Sequence, residues 1–382
     1  MLMRSEQMDL RTRLRHLDEV DWDFASSRSQ SAFSSIHWHP CRYPSQIPSV
    51  LIGALSDPGE RVLDPFLGSG TTAVEAQRLD RSSIGIELNP VAVLMSRAKT
   101  LSHDAKYVRR LVERIIMGCR QTTTRDDVPD SVQGSKWYTQ RTLNSLRRIR
   151  SYIGGLRGDG RLLAGAAFSA ILLPACRETR HWGYVCDNTA PKADNERDVF
   201  ELFETALGDF VKAYDERDYF RNSSRRTPGP LKSVEVVQGD SADAIDINKV
   251  GRVQLIVTSP PYFGVADYIK AQRLSLEWME TEIEPLRLRE IGARSKRHRL
   301  VAADQYLSDC KRVFERCREV LEDGRACAVV FGESTDRAPM RENFEKVLKS
   351  CGFKLHYVRS RRISSGRRLA PSLQEEHLLI FA

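Results

Sequence analysis

Thr258-Ser259-Pro260-Pro261-Tyr262 closes the short apolar run Val253–Thr258, and its residue types suit a substrate that carries an NH2 group. Consecutive prolines hold a backbone extended and remove two N–H donors, so the carbonyls of that stretch stay open as acceptors. The Ser259 hydroxyl and the Pro260 carbonyl could take both amino protons and turn the nitrogen lone pair toward an electrophile. Tyr262 offers a ring for stacking on a planar base, a contact worth roughly 1–3 kcal/mol. Seen alone, the same residues also read as a rigid Pro-Pro turn with a packed tyrosine.

A second group of residues points to a nucleoside. Asp64-Pro65-Phe66-Leu67-Gly68-Ser69-Gly70-Thr71-Thr72 lies between a short apolar segment and a stretch of helical periodicity. Glycines there permit positive φ and close backbone approach, and the helix start offers free N–H groups. Glu87 ends the next apolar segment, where a carboxylate can accept from a ribose diol. Ala73 follows where a dinucleotide fingerprint would want its third glycine, and the lysine of a phosphate-binding loop is missing. NAD and nucleoside triphosphates are therefore disfavoured. Asp240, in Gly239-Asp240-Ser241-Ala242, ends a third such segment and could accept from the amino group of an adenine.

The elements that must carry these residues follow from periodicity. Arg61–Asp64, Ser82–Glu87, Val234–Asp240, Val253–Thr258, Ala326–Phe331, Lys354–Val358 and Glu376–Phe381 read as strands, alternating with helical stretches at both ends of the chain. That is an α/β, Rossmann-like sheet with helices on both faces. Residues 101–230 break the alternation with helices rich in Arg and Leu. The expected organisation is a loosely ordered polar arm over 1–30, a sheet domain over 31–100 and 231–382, and a mainly helical insertion over 101–230.

Composition narrows the classes. With 382 residues, 41% hydrophobic and 29% charged, the chain is globular rather than fibrous, disordered or membrane-embedded. Leu162–Cys176 is too short and interrupted to span a bilayer, and the N-terminus has no apolar signal core. Eight cysteines without a CxxC fit a reduced, cytoplasmic setting rather than a disulfide scaffold. Cys176, His181 and Cys186 lack paired zinc-ligand spacing, so no metal is expected. The net charge of +8 is modest, but its placement is not uniform. Arg294, Lys296, Arg297 and Arg299 form one cluster, and Arg361, Arg362, Arg367 and Arg368 another. A third, Arg141, Arg147, Arg148 and Arg150, follows Lys136-Trp137-Tyr138. Any one could be a solvated face; the first two flank the Ser259 edge and are read as phosphate contacts.

The phrases DPFLGSGTT, IGIELNP and TSPPY resemble the S-adenosylmethionine-dependent DNA amino-methyltransferases, which methylate the exocyclic nitrogen of cytosine or adenine. Upstream, His39-Pro40-Cys41-Arg42-Tyr43-Pro44-Ser45-Gln46-Ile47-Pro48 is similar to the family's segment beside the methionine of the cofactor. Serine before Pro-Pro-Tyr looks like the cytosine-N4 branch; adenine-N6 members more often carry Asp or Asn there. The resemblance implies S-adenosyl-L-methionine held by Tyr43, Pro44, Asp64, Pro65, Phe66, Gly68, Gly70, Thr71, Thr72, Glu87 and Asp240. It implies Ser259, Pro260, Pro261 and Tyr262 as the catalytic residues acting on a base flipped from double-stranded DNA. The long gap between the two motif sets makes 101–230 the candidate target-recognition region. A carbon-5 mechanism is disfavoured because no Pro-Pro-Cys nucleophile is present. The implied setting is the cytoplasm, at the nucleoid, as a monomer or homodimer with a restriction endonuclease as possible pathway partner. Adenine-N6 and RNA base methylation, and a non-catalytic DNA-binding subunit, are the rival readings.

Overall fold

The computed structural model describes residues 9–24, 31–37, 39–40, 43–177, 191, 196–224, 229–298, 301–334, 340–363 and 373–382. Among the described residues seven strands form one sheet: β1 Arg61–Asp64, β2 Ser82–Glu87, β3 Val234–Gln238, β4 Val253–Thr258, β5 Leu321–Ser334, β6 Leu355–Arg362 and β7 Leu373–Phe381. Their order is β3-β2-β1-β4-β5-β7-β6. The strands from β3 to β5 pair in parallel, while β7 runs antiparallel to both of its neighbours. The chain thus adopts the α/β, Rossmann-like sheet that the strand–helix alternation predicts.

Strand periodicity divides the core into two layers. Leu63 and Ile256 point into the apolar layer with Phe314 and Phe331. Their neighbours Val62 and Val257 point the other way, against Leu51 and Ile52 of the helix Gln46–Leu55. Burial on both faces explains why these strands read as continuous apolar runs rather than alternating ones.

The chain starts in the middle of the sheet, winds outward through β2 and β3, then returns to the other side of β1 as β4. A crevice opens at the carboxyl ends where the winding reverses, the usual ligand position in such sheets. Asp64, the last residue of β1, ties this point together. Its carboxylate accepts from Thr258 at the end of β4 (2.7 Å), from Thr72 in the helix Thr71–Arg78 (2.5 Å) and from the Phe66 N–H (3.0 Å).

Residues 101–230 supply the helices Ala105–Gln121, Gly134–Trp137, Gln140–Gly155, Gly158–Leu172 and Val199–Ser224. They share one apolar cluster with Met95 and Ala98 of the helix Pro90–Lys99 and with Leu274 and Trp278 beyond β4. Arg217, buried, donates to the Leu101 and His103 carbonyls and to Gln77 Oε1. Among the described residues no helix is long and apolar enough to cross a membrane. Cys176 is buried; His181 and Cys186 lie outside the described residues.

Of the expected polar arm over residues 1–30, the described residues 9–24 include a helix. Leu10–Asp18 is a helix, capped by the Asp9 side chain accepting from the Thr12 N–H. Leu17 and Trp22 join the layer formed by Leu51, Leu378 and Ile380. Arg13 lies buried, donating to the Ala54 carbonyl and to Asp57 Oδ2 at 2.5 Å. The abundance of polar residues hid a spacing of Leu10, Leu14 and Leu17 that places three apolar side chains on one helix face. Leu17 is 0% exposed, so Leu17→Ala is expected to lower the unfolding free energy by about 2–5 kcal/mol; urea denaturation followed by circular dichroism measures it.

Candidate cofactor and substrate cleft

The crevice is a cleft of about 920 Å³, counting its open mouth. Its floor is the turn after β1. Gly68 and Gly70 sit at φ +53° and +85°, the left-handed region that glycine adopts without strain. A side chain at Gly70 would also press on Ser96, whose Oγ would lie 2.8 Å from the added Cβ. Gly68, which lines the cleft, brings backbone directly to the ligand space, while Gly70 lets the turn pack on Ser96.

Glu87 closes one wall. Its carboxylate accepts from the Gly68 N–H and the Asn89 N–H, each at 2.8 Å, which locks the floor to the end of β2. Loss of solvent pushes its pKa up to about 7, against the two N–H donors that favour the ionised form. Asp64, behind the floor, is raised to about 6 by burial, offset by the Thr72, Thr258 and Phe66 donors. Asp240 caps the short helix Ser241–Ala244, accepting from the Ala242 N–H at 3.0 Å, and faces the Arg289 guanidinium at 3.7 Å.

The sequence-predicted residues separate into two groups. Tyr43, Pro65, Phe66, Gly68, Thr71, Glu87, Asp240, Ser259 and Pro261 line the cleft together. Asp64 and Thr72 do not: both are buried behind it, and Thr72 passes the link on by a hydrogen bond to the Tyr43 hydroxyl. Gly70, Pro44 and Pro260 also lie outside the lining. Tyr262 presents no open ring face for a base. It is 1% exposed, packed with Val265, Ile363 and Leu373, and its hydroxyl donates to Glu376.

The basic clusters are likewise sorted by packing. Arg361 is buried on β6 and ion-paired with Glu376, so it offers nothing to a phosphate. Lys296 Nζ donates to the Leu288 and Glu290 carbonyls, and Arg297 to the Arg294 carbonyl. Arg147 and Arg150 hold Asp127 and Glu280, and Arg148 donates to the Thr122 carbonyl. Arg294 and Arg362 stay exposed. Arg299, Arg367 and Arg368 lie outside the described residues. Local sequence cannot tell a solvated arginine from one claimed by a distant carboxylate.

Sequence reasoning passed over several lining residues. His39 stands beside Tyr268, with ring centroids 6.0 Å apart, and both line the cleft. Glu290 accepts from the Tyr268 and Ile269 N–H groups, and burial pushes it up to about 7. Nothing in Arg-Leu-Arg-Glu-Ile-Gly marks that glutamate as buried. Ser69 Oγ and Asn89 Nδ2 also border the cleft and, though buried, have no hydrogen-bond partner among the described residues. Polar atoms left unpaired beside the cleft are available to a ligand or to water.

Residues 4–98 match the family described as DNA methylase. Over 255 residues the chain is 24% identical to the Type II methyltransferase M.MvaI of Kocuria varians, covering 59% of this chain and 52% of that protein. The Type II methyltransferase M.BglI of Bacillus subtilis is 45% identical over 83 residues, 21% of this chain and 24% of that one. For M.SmaI of Serratia marcescens the figures are 43% over 63 residues, 16% and 22%. The chain is thus similar to DNA methylases over residues 4–98 and to Type II methyltransferases over part of its length. It spans about half the length of M.MvaI and about a quarter of the other two.

The cleft fits S-adenosylmethionine, the cofactor that the sequence motifs imply. The glycine floor admits backbone contact, Glu87 suits a ribose diol, and Ser69 and Asn89 supply polar atoms still to be satisfied. If Glu87 holds the ribose diol it does so best as the carboxylate, and with its pKa at about 7 cofactor affinity should rise with pH through that value. From about pH 6 to about pH 8 the ionised fraction grows roughly tenfold. Calorimetric titration with S-adenosylhomocysteine should show tightening of that order in the native chain and none of this component in Glu87→Gln.

Proposed function

We propose that the chain methylates DNA, transferring a methyl group to the exocyclic N4 amino group of a cytosine swung out of the duplex. The observation that carries the reading is the shared cleft: Ser259 and Pro261 open onto the same space as Glu87 and Asp240. When bound, S-adenosylmethionine would supply an electrophilic sulfonium methyl and leave as S-adenosylhomocysteine. The amino nitrogen of cytosine is a poor nucleophile, because its lone pair is delocalised into the ring. Ser259 Oγ and the Pro260 carbonyl would accept hydrogen bonds from its two N–H groups, which turns the lone pair out of the ring plane, and the methylated nitrogen would then lose one of those protons to solvent. This is catalysis by positioning and electrostatics, without a covalent enzyme intermediate. Unstacking the base costs a few kcal/mol.

Serine before Pro-Pro-Tyr favours cytosine, and the family match supports an amino-group acceptor. The helical segment 101–230 is the proposed target-recognition region, and the Type II relatives make a restriction endonuclease in the same system a reasonable partner. Exposed Arg294 and Arg362 are proposed as phosphate contacts.

Mass spectrometry of nucleosides from DNA treated with the pure protein and S-adenosylmethionine should show N4-methylcytosine; N6-methyladenine alone would overturn the cytosine assignment. Ser259→Ala should lower the single-turnover rate by roughly a hundredfold or more while leaving cofactor affinity in place. Arg294→Ala and Arg362→Ala should each weaken DNA binding at every sequence and reduce the log–log salt slope by about 0.9; unchanged slopes would remove them from the interface.

A further inference from the structure

The cofactor cleft does not account for the company that Tyr262 keeps. Its ring lies over Gly332 of β5, where an added methyl would run into it. Its hydroxyl stands 2.9 Å from Glu376 Oε1, and Ser259 Oγ stands 3.2 Å from the same hydroxyl. Glu376 on β7 pairs in register with Gly332 on one side and Arg361 of β6 on the other. Three strands therefore bring a space, a carboxylate and a guanidinium to one row beneath the Ser259 loop. Arg361 is 5% exposed, with Nε 3.5 Å from Glu376 Oε2, and provides the counter-charge for a carboxylate that is itself buried.

The donors in this row can point only one way. A carboxylate accepts and does not donate, so the Tyr262 proton goes to Glu376. A phenol has a single O–H, so its oxygen receives the proton of Ser259. The only hydrogen of the Ser259 hydroxyl is then committed, and what remains for a substrate is its lone pairs.

We propose that Glu376, held by Arg361, is a positioning residue that fixes the direction of this chain and so makes Ser259 a pure acceptor toward the substrate. The inference rests on the amino-methyltransferase reading above and deepens it to a rule of selection. An NH2 group meets an acceptor and is held. A ring carbonyl at the same place, as in thymine or uracil, would set oxygen against oxygen and leave both unsatisfied. Each hydrogen bond in the row also polarises the next. Tyr262 thus acts through its hydroxyl on Ser259 rather than through its ring on the base.

Glu376→Gln keeps the side chain's size but offers an NH2 that can face the Tyr262 oxygen, which frees the chain to reverse. Its single-turnover methylation rate at saturating DNA and S-adenosylmethionine should fall roughly ten- to a hundredfold, with cofactor affinity and thermal midpoint close to the native values. Tyr262→Phe cuts the same chain and should lose a similar factor; it carries the test alone if Glu376→Gln does not fold. The double variant should be no slower than the slower single one, because the two residues act in series. Native rates in either single variant, or losses that multiply in the double, would overturn the relay while leaving the methyltransferase reading intact. A native protein that methylates neither cytosine nor adenine would overturn that reading, and the relay with it.

Discussion

One buried carboxylate holds the working edge of this molecule together. Asp64 ends the central strand and accepts from β4, from the helix after the glycine turn and from the turn itself. Each donor belongs to an element with its own part in the cleft. Thr258 precedes the Ser259 loop, Thr72 moors Tyr43, and Phe66 begins the floor. A hydroxyl or N–H buried there without a partner would cost about 1–3 kcal/mol, so the three elements settle around the acceptor they share. The distance between the glycine floor and the Ser259 loop is in this way set by a residue that does not line the cleft.

The rest of the chain braces that edge. On one side of the sheet, the N-terminal helix and Gln46–Leu55 cover Val62, Val257 and Ile380. The helices of 101–230 close over Pro90–Lys99, the helix that follows the Glu87 wall. A segment proposed to read DNA is thus packed directly against the helix behind Glu87. Arg147, Arg148 and Arg150 of that segment are held by carbonyls and carboxylates within the protein. Their charge serves packing first, and only the exposed remainder is available to a polyanion.

Much of the fold was legible in the sequence because it depends on local rules. The runs Ser82–Glu87 and Val253–Thr258 carry β-branched, apolar residues bounded by turn formers, and both are strands over those bounds. β5 extends well beyond its apolar centre, Ala326–Phe331, to Leu321–Ser334, because pairing with β4 and β7 recruits polar flanks that no periodicity marks. The helix Leu10–Asp18 was missed for a related reason. Its apolar stripe is narrow, and the burial of Arg13 depends on Asp57, far along the chain.

By itself the sequence determined the chemistry on offer: glycines where backbone must approach a ligand, carboxylates at strand ends, and a serine ahead of two prolines. These are properties of residue type and short spacing. Tertiary structure alone decided what each group faces. Asp64 became a brace instead of a wall, and Arg361 a counter-ion instead of a phosphate contact. The Tyr262 ring went into the core with its hydroxyl committed to Glu376, 114 residues away. The physical reason is the same in each case. Desolvation makes a polar group seek a partner, and only the folded sheet fixes which distant partner comes within reach.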